Sequence, residues 1–152
     1  MKTARILTVA LLLAFLTLGC TQDNGYIGRI FGSWRLTSMT LDGEPVAAPA
    51  GSETFWSFQG KIVMVTLQTE AHEYTKQYGT FERMDGNILR VDFSHHSDDV
   101  AAGTGGYAAP QWMGFPASGI FDLREAKDGK SGLVLTWTAP EGVYIYKFTK
   151  TW

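Results

Sequence analysis

The stretch Gly32-Ser33-Trp34-Arg35-Leu36 constrains the fold more than any other part of this sequence. A small residue lets the chain turn sharply into a strand, and the indole that follows it can then fill the narrow end of a closed β-barrel. Apolar residues recur at helical spacing between positions 26 and 31, which is enough for one helical turn. We therefore predict that this turn caps the barrel end that Trp34 fills.

Strand signals bounded by turn residues continue from Trp34 to the end of the chain. Seventeen glycines and an aromatic content of 13% favour strands and tight turns over long helices. The sequence predicts an all-β fold, an eight-stranded antiparallel up-and-down β-barrel. The predicted strands are Trp34–Leu41, Thr54–Phe58, Lys61–Thr69, Glu73–Arg83, Ile88–Ser94, Gly119–Ala126, Leu133–Thr138 and Val143–Thr151.

The hairpin around Asp85-Gly86-Asn87 can be given a register from its side chains. A three-residue loop places Phe81 opposite Val91 and Glu82 opposite Arg90, so that apolar pairs share one face and an ion pair lies on the other. A two-residue loop would mix charged and apolar partners, so we prefer the three-residue loop. The same register pairs Arg83 with Leu89 and Gly79 with Phe93.

Residues 1–20 have the layout of a secretory signal that ends at the only cysteine, Cys20. Lys2 and Arg5 precede the apolar run 6–19, which is shorter than the roughly 20 residues of a membrane-spanning helix. A lone cysteine cannot form an intramolecular disulfide. A secreted protein with a free thiol remains the alternative to a modified cysteine. We predict a signal at 1–20, a tether at 21–25 and one barrel domain at 26–152.

The charge of the chain bears on its partners. The whole sequence carries a net charge of −2, and the signal contains basic but no acidic residues, so the mature chain is more acidic. An acidic protein attracts neither nucleic acid nor an anionic lipid surface. We expect no nucleic-acid partner.

Gly32-x-Trp34 after a helical turn, followed by eight meandering strands, resembles the lipocalin and wider calycin group. The chain is similar in particular to small lipocalin-like lipoproteins of Gram-negative bacteria, most of which have no assigned function. In that group a basic residue of the last strand packs across the tryptophan. The resemblance implies Lys150 for this role, with Lys147 as the second candidate, and makes Gly32, Trp34 and Lys150 the barrel base.

Leu18-Gly19-Cys20 resembles the lipobox of bacterial lipoproteins, in which the cysteine is acylated, with chains such as palmitate, and becomes the new N-terminus. The resemblance implies lipidation of Cys20 and a membrane partner through this anchor, since two or more acyl chains hold a protein firmly on a bilayer. It also implies a place in the bacterial cell envelope. Thr21 is not the aspartate associated with inner-membrane retention, which favours the outer membrane.

In an up-and-down barrel, alternate connections lie at the same end. The end opposite Trp34 therefore receives both long connections, 42–53 and 95–118. Irregular segments of more than about 15 residues usually have a function or are disordered. The second connection is rich in Gly and Ala and then in aromatic residues, which suits a lid over a cavity. It equally suits a seal over the barrel mouth, and part of it could form a ninth strand.

Aromatic residues of the strands and of this long connection are the candidate ligand-binding residues. The alternative is that the strand aromatics fill the barrel as a solid core, as small barrels often do. The candidates are Trp56, Phe81, Phe93, Tyr107, Trp112, Phe115, Phe121, Trp137, Tyr144 and Tyr146.

All three histidines, His72, His95 and His96, fall at the open end with carboxylates nearby, a ligand set that zinc accepts. A solvated loop has the same composition, so a metal site is the less favoured reading. The sequence has no Gly-x-Ser-x-Gly elbow, and its cysteine is assigned to the anchor. We predict no catalytic residue, no cofactor and no enzymatic activity.

The sequence favours a membrane-anchored barrel that binds a small hydrophobic or amphipathic ligand at its open end. The alternative is a solid barrel whose loops or outer face bind another protein, such as an envelope component or an enzyme to be inhibited. A structural lipoprotein without a specific ligand is a third interpretation.

Overall fold

The computed structural model describes residues 25–69, 73–94, 109–110, 112–126 and 132–151. A 3₁₀ turn, η1 (Gly25–Ile30), leads into nine strands of one antiparallel sheet. The strands are β1 (Gly32–Leu41), β2 (Glu44–Pro45), β3 (Glu53–Gln59), β4 (Ile62–Gln68), β5 (Tyr74–Met84), β6 (Ile88–Asp92), β7 (Ser118–Glu125), β8 (Gly132–Ala139) and β9 (Gly142–Lys150).

Eight of these strands close into a barrel. Neighbouring strands pair in sequence from β3 to β9, and β1 pairs with both β3 and β9. The β1–β9 ladder runs from Trp34 opposite Lys150 to Leu41 opposite Tyr144, with a register shift between Leu36 and Ser38. The predicted eight-stranded antiparallel barrel is confirmed, and a one-turn helical element precedes it as expected.

The two-residue strand β2 was not predicted, because residues 42–53 were assigned to a loop. Asp42 and Gly43 both have positive φ, 51° and 91°. Two such residues in succession are typical of a tight hairpin turn. The turn folds Glu44 and Pro45 back onto the end of β1.

The β5–β6 hairpin has the predicted register. Phe81 lies opposite Val91, Glu82 opposite Arg90 and Arg83 opposite Leu89. Phe93 follows the end of β6 and packs against Gly79: a Cβ added to Gly79 would lie 2.6 Å from the Phe93 ring and 2.7 Å from the Asp92 carbonyl oxygen. Gly79 therefore makes room for an inward-facing aromatic ring.

Alternate strand residues face the interior, which is the core of the domain. We call the end with η1, Gly32 and Lys150 the base, and the opposite end the mouth. The short turns at 59–61 and 85–87 lie at the base, and the connection 42–52 lies at the mouth. These three connections therefore lie at the ends of the barrel that the sequence predicted for them.

In the barrel, β1 pairs over a shorter length with β3 than with β9. Four residue pairs join β1 to β3, whereas seven join β1 to β9. Beyond Arg35 the two strands diverge toward the mouth, and an open cleft of about 400 Å³ lies between them. Arg35, Leu36, Thr37, Ser52, Glu53 and Thr54 contribute to its lining.

Substitution of Gly79 by Ala should lower the free energy of unfolding by about 2 kcal/mol, as expected for overpacking of a filled core. The added methyl group would displace Phe93 or the β6 backbone. Urea unfolding followed by tryptophan fluorescence measures the change. Thr80→Ala on the same strand, outside the barrel, is the matched control, and an equal loss in both variants would contradict the packing argument.

Candidate functional site

The barrel base is built around Trp34. Its side chain is buried, and its indole Nε1 donates a 2.7 Å hydrogen bond to the carbonyl oxygen of Ile30. Ile27 and Ile30 of η1 are buried beside it. Gly32 enters β1 with a φ of 113°, a conformation that favours glycine. Trp34 therefore joins η1 to the first strand and occupies the base.

Lys150 covers the Trp34 ring from the last strand. Its Nζ lies 5.2 Å from the ring centroid, within the range of a cation–π interaction, and donates a 3.3 Å hydrogen bond to the Arg29 carbonyl oxygen. Lys147, the second candidate, is exposed and lies opposite Ser38. The structure thus places Lys150, and not Lys147, across the tryptophan.

A second polar group at the base was not predicted. Arg83 Nη1 lies 3.0 Å from Glu125 Oε1 and also donates a 3.4 Å hydrogen bond to the Ile27 carbonyl oxygen. Both charged side chains are partly buried. The signal for Arg83 was available, because the register placed it beside Leu89 on the inward face. Nothing in the sequence indicated Glu125 as its partner.

Trp56 occupies the middle of the barrel. Its ring centroid lies between 4.9 and 6.4 Å from those of five phenylalanines. All five are almost excluded from solvent. At this level the rings pack on one another, as the filled-core alternative expects. The five phenylalanines are Phe58, Phe93, Phe115, Phe121 and Phe148.

Residues 112–117, which we call the mouth segment, fold into the barrel. Met113 and Gly114 have consecutive positive φ values of 66° and 63° and form a turn. Met113, and Phe115 directly after the turn, are buried. A Cβ on Gly114 would lie 2.7 Å from the Tyr144 ring, so only glycine allows this approach. None of the described residues of the long connection before Ser118 belongs to a strand.

Few polar contacts hold the mouth segment. The Thr54 hydroxyl donates to Met113 Sδ at 3.6 Å, and the Tyr146 hydroxyl donates to the Met113 carbonyl oxygen at 3.3 Å. Among the described residues, no backbone-to-backbone hydrogen bond joins residues 112–116 to the strands. Aromatic packing holds the segment in place, because the Phe115 ring centroid lies 4.9 Å from that of Trp56 and 4.8 Å from that of Tyr146.

A stack of three aromatic rings runs from Tyr146 toward the mouth. Tyr144 is nearly parallel to both Tyr146 and Trp137, with centroids 5.9 and 5.4 Å away. The Tyr144 hydroxyl donates a hydrogen bond to Glu141 Oε1 at 3.2 Å. Burial raises the pKa of Tyr146 well above its usual value, and burial together with Glu141 raises that of Tyr144. Both hydroxyls therefore stay protonated at neutral pH.

The structure brings most of the predicted aromatic residues together. Trp56, Phe93, Phe115, Phe121 and Tyr146 form one connected group. Phe81 instead packs on Phe58, at 5.1 Å, and Trp112 is only partly buried against the core. Phe148 was not among the candidates, although the alternation Tyr144, Tyr146, Phe148 along β9 could have identified it.

Five predicted residues lie outside the described part of the chain: Cys20, His72, His95, His96 and Tyr107. Their predicted roles in lipidation, metal binding and ligand binding remain predictions. Within the described ranges, no three His, Cys, Asp or Glu side chains cluster so that they could hold a metal ion. In the same ranges no helix has both the length and the apolar character needed to cross a membrane.

The closed barrel, its base and its aromatic interior define a lipocalin-like module. The model of the lipocalin-like domain family matches residues 12–108, and the chain belongs to this family. The fold supports a binding module in general, and lipocalin-like domains are in general binding proteins rather than enzymes.

Two solved structures share the fold. A lipocalin-like protein from Bacteroides uniformis is 15% identical, with a TM-score of 0.51, and the match covers 81% of this chain and 99% of that one. An uncharacterized protein from Bacteroides eggerthii is 16% identical, with a TM-score of 0.52 and coverage of 79% and 98%. At these identities the likeness concerns the fold alone. A search of curated proteins found no match.

Replacing Lys150 by Met should lower the free energy of unfolding by about 1 kcal/mol, because the cation over Trp34 and the hydrogen bond to Arg29 are lost. Lys150→Arg should retain most of this stability, since a guanidinium also stacks on an indole. Chemical denaturation measures both. Lys147→Met serves as the control on the exposed face of β9, and a loss there equal to that of Lys150→Met would argue against the cation–π contact.

Proposed function

We propose that this protein is a lipid-anchored lipoprotein of the bacterial cell envelope whose barrel binds a small hydrophobic or amphipathic molecule at the mouth. The ligand takes the place that Met113 and Phe115 hold in this structure. The membrane anchor at Cys20 rests on the lipobox resemblance, and the binding site rests on the mouth segment.

The observation that carries the proposal is the way the mouth is covered. Residues 112–116 of the mouth segment pack through apolar contacts and two long hydrogen bonds, and among the described residues no backbone hydrogen bond joins them to the strands. Ala117, the last residue of the segment, is held at the start of β7 by a 2.7 Å hydrogen bond from the Phe93 N–H. Met113, a residue other than glycine, is held at a φ of 66°, a conformation that costs free energy and is common at functional sites. Moving this segment outward would uncover aromatic surface without breaking a strand.

Removing the Phe115 ring should strengthen ligand binding. The mouth segment competes with the ligand for the same space, so the free energy needed to displace the segment weakens the apparent affinity. We expect Phe115→Ala to bind decan-1-ol at least tenfold more tightly than wild type, as measured by native mass spectrometry and thermal shift. Ile120→Ala, on the exposed outer face of β7, should bind like wild type. If neither wild type nor Phe115→Ala binds any amphipathic probe, the proposal is wrong.

A second candidate function is protein binding by a solid barrel. The filled interior favours it, as does an open groove of about 530 Å³ beside β5 and β6. Lys61, Glu82, Arg83, Arg90 and Asp92 give this groove a mixed charge, and Ile120, opposite Arg90, is 55% exposed. A membrane protein retained by wild type and lost with Arg90→Glu, together with the absence of any small ligand, would favour this function.

Cys20→Ser should release the protein from the membrane. Without the thiol no acyl chain can be attached, and the remaining tether supplies no other anchor of comparable strength. Fractionation of cells into membranes and soluble periplasm, with the protein detected by antibody, measures the change. Thr21→Ser is the control and should stay in the membrane fraction. Membrane retention of Cys20→Ser would contradict the anchor.

A further inference from the structure

The space occupied by Phe115 is bounded by two aromatic side chains that carry hydrogen-bond donors. Phe115 lies between Trp56, which has an indole N–H, and Tyr146, which has a hydroxyl group. Both of these side chains are completely buried. Phe115 therefore packs on two side chains that each carry a hydrogen-bond donor, and its own ring offers neither of them a conventional acceptor.

Among the described residues, the indole N–H of Trp56 has no hydrogen-bond partner. Buried polar groups are nearly always paired, and a buried tryptophan usually finds an acceptor for its N–H. The same chain shows this at the base, where Trp34 Nε1 donates to Ile30. The unpaired donor in the middle of the barrel points to an acceptor that the described part of the chain does not supply.

Within the described ranges, the partner of the Tyr146 hydroxyl group lies in the mouth segment. It donates to the carbonyl oxygen of Met113 over 3.3 Å, a long bond for a hydroxyl donor. If the mouth segment moves outward, this donor also loses its acceptor. Because burial raises the pKa of Tyr146, the hydroxyl keeps its proton and remains a donor.

The surroundings of these donors disfavour a charged ligand. No charged side chain is buried among the described residues, and Arg83, Glu125 and Lys150 lie at the base. A carboxylate placed beside Trp56 would be desolvated without a cation to compensate it.

A further unpaired polar atom lies at the level of Trp56. Among the described residues, Gln77 Oε1 is buried without a hydrogen-bond partner. Val65 of β4 lies opposite Trp56 on one side and opposite Gln77 on the other, so the three residues form one layer of the barrel. An amide oxygen repels an anion but accepts a hydrogen bond from an uncharged group. The layer therefore favours a ligand that carries a donor as well as an acceptor.

We propose that the place of Phe115 is a subsite for an uncharged amphipathic molecule, an alcohol or amide with an apolar chain, whose oxygen accepts hydrogen bonds from Trp56 Nε1 and the Tyr146 hydroxyl. The subsite deepens the proposed function, on which it rests, by naming the polar group of the ligand. It also distinguishes this barrel from a carrier of free fatty acids.

Three probes of equal chain length test the subsite: decan-1-ol, decanoate and decane. The protein is the Cys20→Ser form with Phe115→Ala, which vacates the site, and Phe115→Leu replaces it if the alanine variant does not fold. We expect decan-1-ol to bind at least tenfold more tightly than decanoate at pH 8, by calorimetry. Adding Tyr146→Phe should weaken decan-1-ol binding about fivefold and leave decane unchanged.

The indole N–H of Trp56 provides a direct readout. Its ¹H–¹⁵N NMR signal is identified by its absence in Trp56→Phe. We expect a downfield shift of the indole proton with decan-1-ol and none with decane. Decanoate that binds as tightly as decan-1-ol, or an unchanged indole signal at saturation, would overturn the subsite while the proposed ligand-binding function stands. Failure of all three probes to bind would overturn both.

Discussion

The rest of the structure depends on the position of the Trp34 indole. One side chain contacts three parts of the chain: it donates to Ile30 of the 3₁₀ turn, lies in the β1 ladder opposite Trp56, and sits under Lys150 of the last strand. The first and last strands of the barrel are thereby joined at the base by side chains as well as by backbone hydrogen bonds. The base is thereby closed, and the connection 42–52 and the mouth segment lie at the opposite end.

The interior shows how a small barrel can be both packed and suited to binding. Strand residues alone build the core around Trp56, and the last part of the filling comes from Met113 and Phe115 of a connecting segment. Residues 112–116 can be displaced at a lower free-energy cost than a strand, because among the described residues they make no backbone hydrogen bond to the sheet. A filled interior and a binding module are therefore compatible in this fold.

Much of the fold could be predicted because alternation along a strand determines which residues face inward. That rule located the β5–β6 register and most of the aromatic interior, whereas the Gly-x-Trp pattern located Trp34. It could not show whether the rings line a space or fill it, since this depends on where residues 112–117 lie. Nor could it pair Arg83 with Glu125, which lie on β5 and β7, the two strands on either side of β6, or detect β2, which depends on the backbone of Asp42 and Gly43.

The short seam between β1 and β3 has a mechanical consequence. With four residue pairs each, the β1–β3 and β7–β8 ladders are the shortest of the described barrel, and the β1–β3 ladder ends in a cleft beside Thr54, the residue that contacts Met113. Separation of β1 from β3 at this cleft would loosen the packing of Met113 from the side, while the base remains closed. Access to the interior would then be lateral, through the wall of the barrel.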